Sequence, residues 1–296
     1  MSTPRFLELP PGVRRADVTT DMGTFAALRA LPTSGGCEHR PAVLVPGLTG
    51  SKEDFIGLLQ TLAQAGRQVV AVDLPGQYES PGPDDFDGYG TAWLGRSVAA
   101  LTAALGEGPV HLLGHSYGGL VTRETVLSGE AELLSFTLMS SGPAAVPSQG
   151  RVDDAQRLIG YLGGDPTPER LAELWERFLD APARSSGLAE DILAFLRTRM
   201  LANSPRGLVR MCEEILSAGD RTAELAATDL PKMVLYGEND DAWPPDLQAA
   251  MADKLSARKV VVPGAAHSPN VEAPETTASA LTRFWNTVET PARDNL

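Results

Sequence analysis

Residues Val110 to Gly119 read VHLLGHSYGG, and this decapeptide restricts the possible folds more than any other stretch of the chain. A short apolar run leads into Gly114-His115-Ser116-Tyr117-Gly118, and the helix-like stretch LVTRETVL follows. A Gly-x-Ser-x-Gly motif between a strand and a helix puts the serine at the apex of a sharp, strained turn at the edge of a sheet. Side chains two residues before and after that serine would collide, which explains Gly114 and Gly118. Gly119 lets the new helix pack close to the sheet. Ser116 is therefore the candidate nucleophile.

The flanking sequence alternates strand-like and helix-like signals, as a parallel sheet with crossover helices requires. Strands are predicted at Pro41 to Val45, Gln68 to Val72, Leu133 to Met139, Lys232 to Tyr236 and Lys259 to Val262. Helical spacing marks Lys52 to Ala65, Thr91 to Leu105 and Pro274 to Val288. Residues 77–90 read as a loop, and the tail from Glu289 to Leu296 as frayed. From about Pro147 to Asp229 strand signals vanish. Helices are predicted there at Asp153 to Leu162, Pro168 to Leu179, Leu188 to Leu201 and Arg206 to Leu216. The expected fold class is α/β, a mostly parallel central sheet with helices on both faces. Residues 1–146 and 230–296 form its core domain, and residues 147–229 an inserted helical cap.

A neutral serine hydroxyl needs a base within hydrogen-bond reach, and the base needs an orienting acid. Of four histidines, His39 precedes the first loop that could build a site, and His111 starts the elbow strand at its far end. His115 adjoins Ser116 within the turn, so a structural hydrogen bond is expected of it. His267 follows the strand KVVVP in the loop GAAHSP, at the same carboxyl edge as the serine, and is the expected base. The acid should lie between serine and histidine in chain order. Asp240 and Asp241, just after KMVLY, compete for that role. The loop after LLSFTLM holds Ser140-Ser141-Gly142 and no carboxylate. For the negative oxygen of an acyl-transfer intermediate, two backbone N–H donors are needed. Tyr117, the residue after the nucleophile, supplies one. Leu48, in the loop Pro46-Gly47-Leu48-Thr49-Gly50, is assigned the other.

PGLTG, GHSYGG, YGENDDAWP and GAAHSPNVEAPE together resemble the α/β-hydrolase fold superfamily, in its lidded serine esterase-like branch. The resemblance spans about Pro41 to Trp285, excluding most of the cap. It implies that the acid stands three residues after the loop glycine, hence Asp240 after Gly237. One departure is that the oxyanion loop begins Pro46-Gly47 where the family commonly has His-Gly, which leaves the hydrogen bonds that fix the loop unspecified. The family's dehalogenases and epoxide hydrolases carry aspartate at the elbow, so Ser116 argues against both. The resemblance implies no cofactor.

The expected activity is that of a serine hydrolase acting on a carboxylic ester or lactone through an acyl-enzyme. The same triad also serves C–C hydrolases of diketone or ring-fission products, thioesterases, amidases and perhydrolysis, and a ligand receptor can share the fold. Arg123, Arg197, Arg199 and Arg210 have no assigned place, although a C–C hydrolase often holds a substrate carboxylate with an arginine. Trp243, Trp175 and Phe178 are candidate pocket residues, and apolar residues in the cap favour an apolar or bulky small-molecule substrate.

The remaining readings are exclusions. The formal net charge of −13 is interrupted by no basic cluster, which argues against nucleic acid as a partner. No apolar run approaches membrane-spanning length and MSTPRFLELPPGVRR has no apolar signal core, so a cytoplasmic protein without a membrane partner is expected. Cys37 and Cys212 lie far apart, read as reduced thiols, and have no Cys or His at metal-ligand spacing. No phosphate loop or dinucleotide fingerprint is present. No metal and no cofactor are expected, and the oligomeric state is left open.

Overall fold

A computed structural model describes residues 2–290. Eight strands form one sheet: β1 (Val13–Thr20), β2 (Gly23–Ala30), β3 (Ala42–Val45), β4 (Val69–Val72), β5 (Val110–His115), β6 (Leu133–Met139), β7 (Lys232–Gly237) and β8 (Arg258–Val262). Their spatial order is β1-β2-β4-β3-β5-β6-β7-β8. Strands β3 to β8 pair in parallel, whereas β1 pairs antiparallel with β2, and β2 with β4. The fold is thus α/β with a mostly parallel sheet, as the sequence predicts.

A parallel sheet is covered on both faces, so its inner strands are nearly continuous apolar runs. Side-chain alternation divides each run between two cores. Val43, Val45, Val70, Val72 and Leu112 join one buried cluster, and Ala42, Leu44, Val69, Ala71 and Leu113 the other. The second cluster is closed by helices α1 (Ile56–Gln64), through Leu58, Leu59 and Leu62, and α12 (Pro274–Glu289), through Leu281, Phe284 and Trp285. The first is closed by α2 (Thr91–Ala104), α3 (Tyr117–Ser128) and α10 (Pro245–Lys254).

Between β6 and β7 the chain is helical: α4 (Gln149–Leu162), α5 (Pro168–Leu174), a π-helical turn (Trp175–Leu179), α6 (Asp180–Ser185), α7 (Glu190–Leu201), α8 (Pro205–Ser217) and α9 (Thr222–Ala226). Leu162, Leu171, Trp175, Phe195 and Leu208 build a third apolar cluster there. Met211 and Ile215 of α8 and Leu225 of α9 instead join the sheet's first cluster, so this block is rooted in the core at its C-terminal end. A buried ion pair adds a second root: Arg199 on α7 donates to Asp54 at 2.6 Å, both side chains being wholly buried. Arg199 also donates to the Ser2 carbonyl.

Several details differ from the sequence reading. Strands β1 and β2 have no counterpart in it. The predicted helix from Lys52 to Ala65 begins as a 3₁₀ turn (Lys52–Phe55) and becomes α-helical only at Ile56. Lys52, at the start of that turn, is buried against Asp73 at 2.7 Å. Fraying from Glu289 onward is predicted, but residues 291–296 lie outside the described residues and Glu289 itself is anchored. Its carboxylate accepts from Arg67 at 2.8 Å and from the Arg40 N–H at 3.1 Å, and lies 3.0 Å from His39 and His111.

Candidate active site

Pairing register brings the candidate residues together. Strand β3 lies beside β5 with Val45 opposite Gly114, so the loop after β3 emerges next to the turn after β5. This is where the strand order reverses, the place at which open α/β sheets build ligand sites. Ser116 heads α3 with φ 55° and ψ −122°, a strained conformation for a residue with a side chain. A β-carbon on Gly118 would lie 2.7 Å from the Val45 carbonyl oxygen, and one on Gly114 would overlap Thr122. Both glycines are needed for close approach.

Loops after β7 and β8 bring two further groups to the same edge. His267 Nε2 lies 2.9 Å from Ser116 Oγ, and its Nδ1 lies 2.9 Å from Asp240 Oδ1. With Asp240 ionised, Nδ1–H donates to the carboxylate and Nε2 is left to accept the serine proton. Asp240 also accepts from the Ala242 N–H at 3.0 Å and from the Gln248 amide at 2.9 Å. Burial pushes its pKa up, but the hydrogen bond and charge of His267, with the two other donors, outweigh burial and hold it below the ordinary carboxylate value. Asp241 is exposed at the cavity wall and is held by Arg151 of α4, with both contacts at 2.9 Å. Of the two aspartates, Asp240 alone meets His267. Asp240, Asp241 and His267 are also a group whose ligand-type atoms lie within 4.8 Å. Those of Asp240 and His267 are already bonded to each other.

The supporting contacts are ones that sequence reading missed. Glu272 grips the histidine loop, accepting from the Ser268 N–H at 2.8 Å and from the Ala266 N–H. Gln248 ties Asp240 to the Trp243 carbonyl, 2.8 Å from its Nε2. Glu272 follows His267 by five residues, a local signal that could have been read. Gln248 stands one helical turn into α10 and gave none. His115 fulfils the structural expectation, donating from Nε2 to the His267 carbonyl at 2.9 Å. Burial, then the neighbouring His267, pushes its pKa down to about 3, so it adds no charge beside the site.

A cavity of about 690 Å³ opens over Ser116 and His267, and Gly47, Leu48 and Thr49 form part of its wall. Leu48 is the second residue of a turn closed by the Gly50 N–H on the Gly47 carbonyl at 3.0 Å, so that bond does not consume its own N–H. Tyr117 is the first residue of α3, and a first-turn N–H has no acceptor within the helix. Leu48 thus shares the cavity wall with Ser116, and Tyr117 follows Ser116 at the start of α3. Phe178 lines the cavity, with Leu158, Leu174, Leu179, Met200 and Ile215. Trp243 also backs the wall while fully buried, its indole N–H donating to the Ala144 carbonyl at 3.1 Å. Trp175 is not a wall residue. The π-helical turn that begins at it bonds the Asp180 N–H to the Trp175 carbonyl, five residues back, and shifts the helical phase. Trp175 is buried in the third cluster, while Phe178 borders that cluster and lines the cavity.

The buried histidines predict a pH-dependent stability. Burial lowers His111 to about 4 against its hydrogen bond to Glu289, and His115 falls to about 3. Both are neutral in the folded state and protonate near 6.5 when unfolded, so the unfolded state binds more protons as pH falls. These two groups together should therefore leave stability unchanged above pH about 7.5 and lower it by about 2–3 kcal/mol per pH unit between about 5.5 and 4, while Asp73, pushed up to about 7 by burial, works in the opposite direction below pH 7. Urea unfolding across that range measures the slope. A His111→Gln variant should show a slope smaller than that of wild type by about 1 kcal/mol per pH unit, and an unchanged slope would refute the assignment.

Comparison with known proteins agrees with the geometry. The model of the alpha/beta hydrolase family matches residues 42–280. A pimeloyl-[acyl-carrier protein] methyl ester esterase of Aeromonas hydrophila is 30% identical over 236 residues, covering 77% of this chain and 88% of that protein. A 2-hydroxy-6-oxononadienedioate/2-hydroxy-6-oxononatrienedioate hydrolase of Burkholderia vietnamiensis is 29% identical over 209 residues, covering 68% of this chain and 70% of that protein. Among solved structures, a thermophilic esterase of Thermogutta terrifontis superposes with a TM-score of 0.70 at 22% identity, over 94% of this chain and all of that one. No helix among the described residues is long and apolar enough to cross a membrane. A family match over four-fifths of the sequence, on a sheet of this topology, shows that the chain belongs to the alpha/beta hydrolase family.

Proposed function

We propose that this protein is a serine hydrolase that cleaves a carboxylic ester or lactone of a small, apolar or bulky substrate. The observation that carries the reading is the chain Ser116–His267–Asp240, with both links at 2.9 Å, opening onto a cavity with an apolar part formed by Leu158, Leu174, Phe178, Leu179, Met200 and Ile215. As Ser116 Oγ attacks the carbonyl carbon, His267 Nε2 takes its proton. Asp240 holds the imidazole tautomer and stabilises the imidazolium. The N–H groups of Leu48 and Tyr117 receive the oxyanion. When the intermediate collapses, the alcohol oxygen leaves with the proton from His267 and an acyl-enzyme remains. Water then gives a proton to His267, adds to the acyl carbon and releases the acid, and the proton returns to Ser116. No cofactor enters this scheme.

Residues 147–229 act as the cap that roofs the cavity and sets substrate shape, with Phe178 as a wall of the pocket and Trp243 behind the acid loop. The ring-fission reading is favoured by one named relative and by Arg151 and Arg157 on the wall. Those arginines are held by Asp241 and Asp154, each at 2.9 Å. Arg199 is spent on Asp54, Arg210 on Glu213 and Glu214, and Arg123 on the Pro143 and Gly219 carbonyls. Arg199, Arg210 and Arg123 are thus engaged within the protein, which supports the ester reading.

A panel of p-nitrophenyl esters and lactones of graded acyl length, assayed beside a vinylogous diketone acid, tests the choice. Ester turnover exceeding diketone turnover by at least about a hundredfold in kcat/KM, a difference of roughly 2.7 kcal/mol, is expected. Diketone cleavage without ester cleavage would replace the proposal with the C–C hydrolase. A single turnover with retained product would replace it with a receptor.

A further inference from the structure

We propose that Gln77 is a positioning residue for oxyanion stabilisation, its buried amide fixing the Gly47–Leu48 peptide so that the Leu48 N–H faces the reacting carbonyl. This rests on the ester-hydrolase reading above and adds to it the element that holds the oxyanion loop in place.

Gln77 Nε2 donates to the Gly47 carbonyl at 3.0 Å, from a side chain with no exposure to solvent. The Gly47 C=O and the Leu48 N–H belong to one planar trans peptide and point in opposite directions. A donor seated on the carbonyl therefore turns the N–H to the far side of the unit. Gly47 and Leu48 line the cavity and Gln77 does not, so that far side is the cavity side. The Gly50 N–H occupies the same carbonyl at 3.0 Å. Two donors on the carbonyl also polarise the peptide and strengthen its N–H as a donor to negative charge.

The amide itself has only one orientation. Gln77 Oε1 accepts from the Leu74 N–H at 3.3 Å, so a flipped amide would set oxygen against the Gly47 carbonyl and nitrogen against an N–H. Its backbone is held in a turn, with the Gln77 N–H on the Leu74 carbonyl at 2.8 Å and the Ser80 N–H on the Gln77 carbonyl at 2.9 Å. That turn is tied to the start of α8 by the Ser204 N–H on the Gly76 carbonyl at 2.8 Å. The oxyanion loop is in contrast strained, since the β-branched Thr49 sits at φ 57°. Without Gln77 its peptide would keep one hydrogen bond beside a residue whose backbone favours rearrangement. Sequence alone leaves a Pro-Gly loop with nothing to fix it, and Gln77 supplies that fixing group from the neighbouring strand end.

Gln77→Met keeps length and volume and removes the donor. With the best ester it should lower kcat about 10- to 100-fold with KM changed less than about threefold, because an oxyanion contact acts in the transition state. Affinity for a boronic acid that mimics the tetrahedral intermediate should fall by the same factor, and affinity for the product acid should not. Fluorophosphonate should still add once per chain. A kcat within about threefold of wild type, or equal losses in kcat and product affinity, would overturn the role. Gln77→Glu gives an independent reading should the methionine variant not fold. A protonated carboxylic acid can donate to Gly47 and an ionised one cannot. Its kcat should be within about threefold of that of wild type at pH 5.5, where the acid is protonated, and a kcat that stays at the methionine variant's level at pH 5.5 overturns the proposal. Wild type that yields neither ester turnover nor a fluorophosphonate adduct would instead show that the ester-hydrolase reading is wrong, and this role with it.

Discussion

Replacing Ser116 by alanine is expected to lower kcat for the best ester by on the order of 10⁵-fold or more and to abolish the fluorophosphonate adduct. Removing Oγ deletes the atom that attacks and the proton that His267 accepts, while the backbone donors and the cavity remain. KM should therefore change far less than kcat. The fold should survive, because the strained backbone at φ 55° already carries a β-carbon and alanine keeps it. Intact mass after fluorophosphonate treatment gives the clean readout: one adduct on wild type and none on the variant. His267→Ala should cost nearly as much, and the double variant little more than either, since nucleophile and base act as one unit. A Ser116→Ala protein retaining more than about one per cent of turnover would require a different nucleophile, because water positioned by the remaining donors gives only a small residual rate. An adduct that persists on the variant would carry the same meaning.

The parts of this molecule that were legible in sequence are those set by local geometry. The inner parallel strands show as apolar runs because both faces are buried, β8 shows by its VVV run although it is a largely exposed edge strand, and the elbow shows because its glycines answer steric demands within five residues. Strands β1 and β2 were silent. β1 lies at the sheet edge, and Arg14, Arg15 and Asp17 are admissible there because that strand is half solvated. The buried charges were also unreadable. Lys52, Glu53 and Asp54 look like a solvated helix start, yet all three are buried, because Asp73 and Arg199 meet them from distant parts of the chain. The same holds at the site. Ser116, His267 and an aspartate after β7 follow from motif and strand order. Of the groups that hold them, Glu272 lies within five residues of His267, whereas Gln248 and Gln77 act through contacts no spacing announces. Trp175 and Phe178 were indistinguishable by composition, and tertiary packing decides which is enclosed and which meets the cavity.

The choice between adjacent aspartates is where structure adds most, and it yields the second large effect. Asp240→Asn is expected to lower kcat about 10⁴-fold, and Asp241→Asn by less than about threefold. Burial separates the two sharply, with the Asp240 side chain fully enclosed and that of Asp241 61% exposed. An asparagine at 240 can keep every heavy-atom position, yet its amide can present N–H to His267 Nδ1. The ring then carries its proton on Nε2, which faces Ser116 and can no longer accept from it. The loss is thus one of tautomer and imidazolium stabilisation rather than of shape, so the thermal midpoint should move much less than the rate. Asp241 gives up only a surface contact with Arg151 between the acid loop and α4. Its variant should show a changed dependence on salt, since Arg151 is released at the cavity wall, and no change in the chemical step. If Asp241→Asn proves the costlier substitution, the loop must rearrange when substrate binds and Asp240 would be left with a structural role. If neither costs more than about tenfold, no carboxylate orients His267, and the Ser116–His267 pair would have to act without an acid.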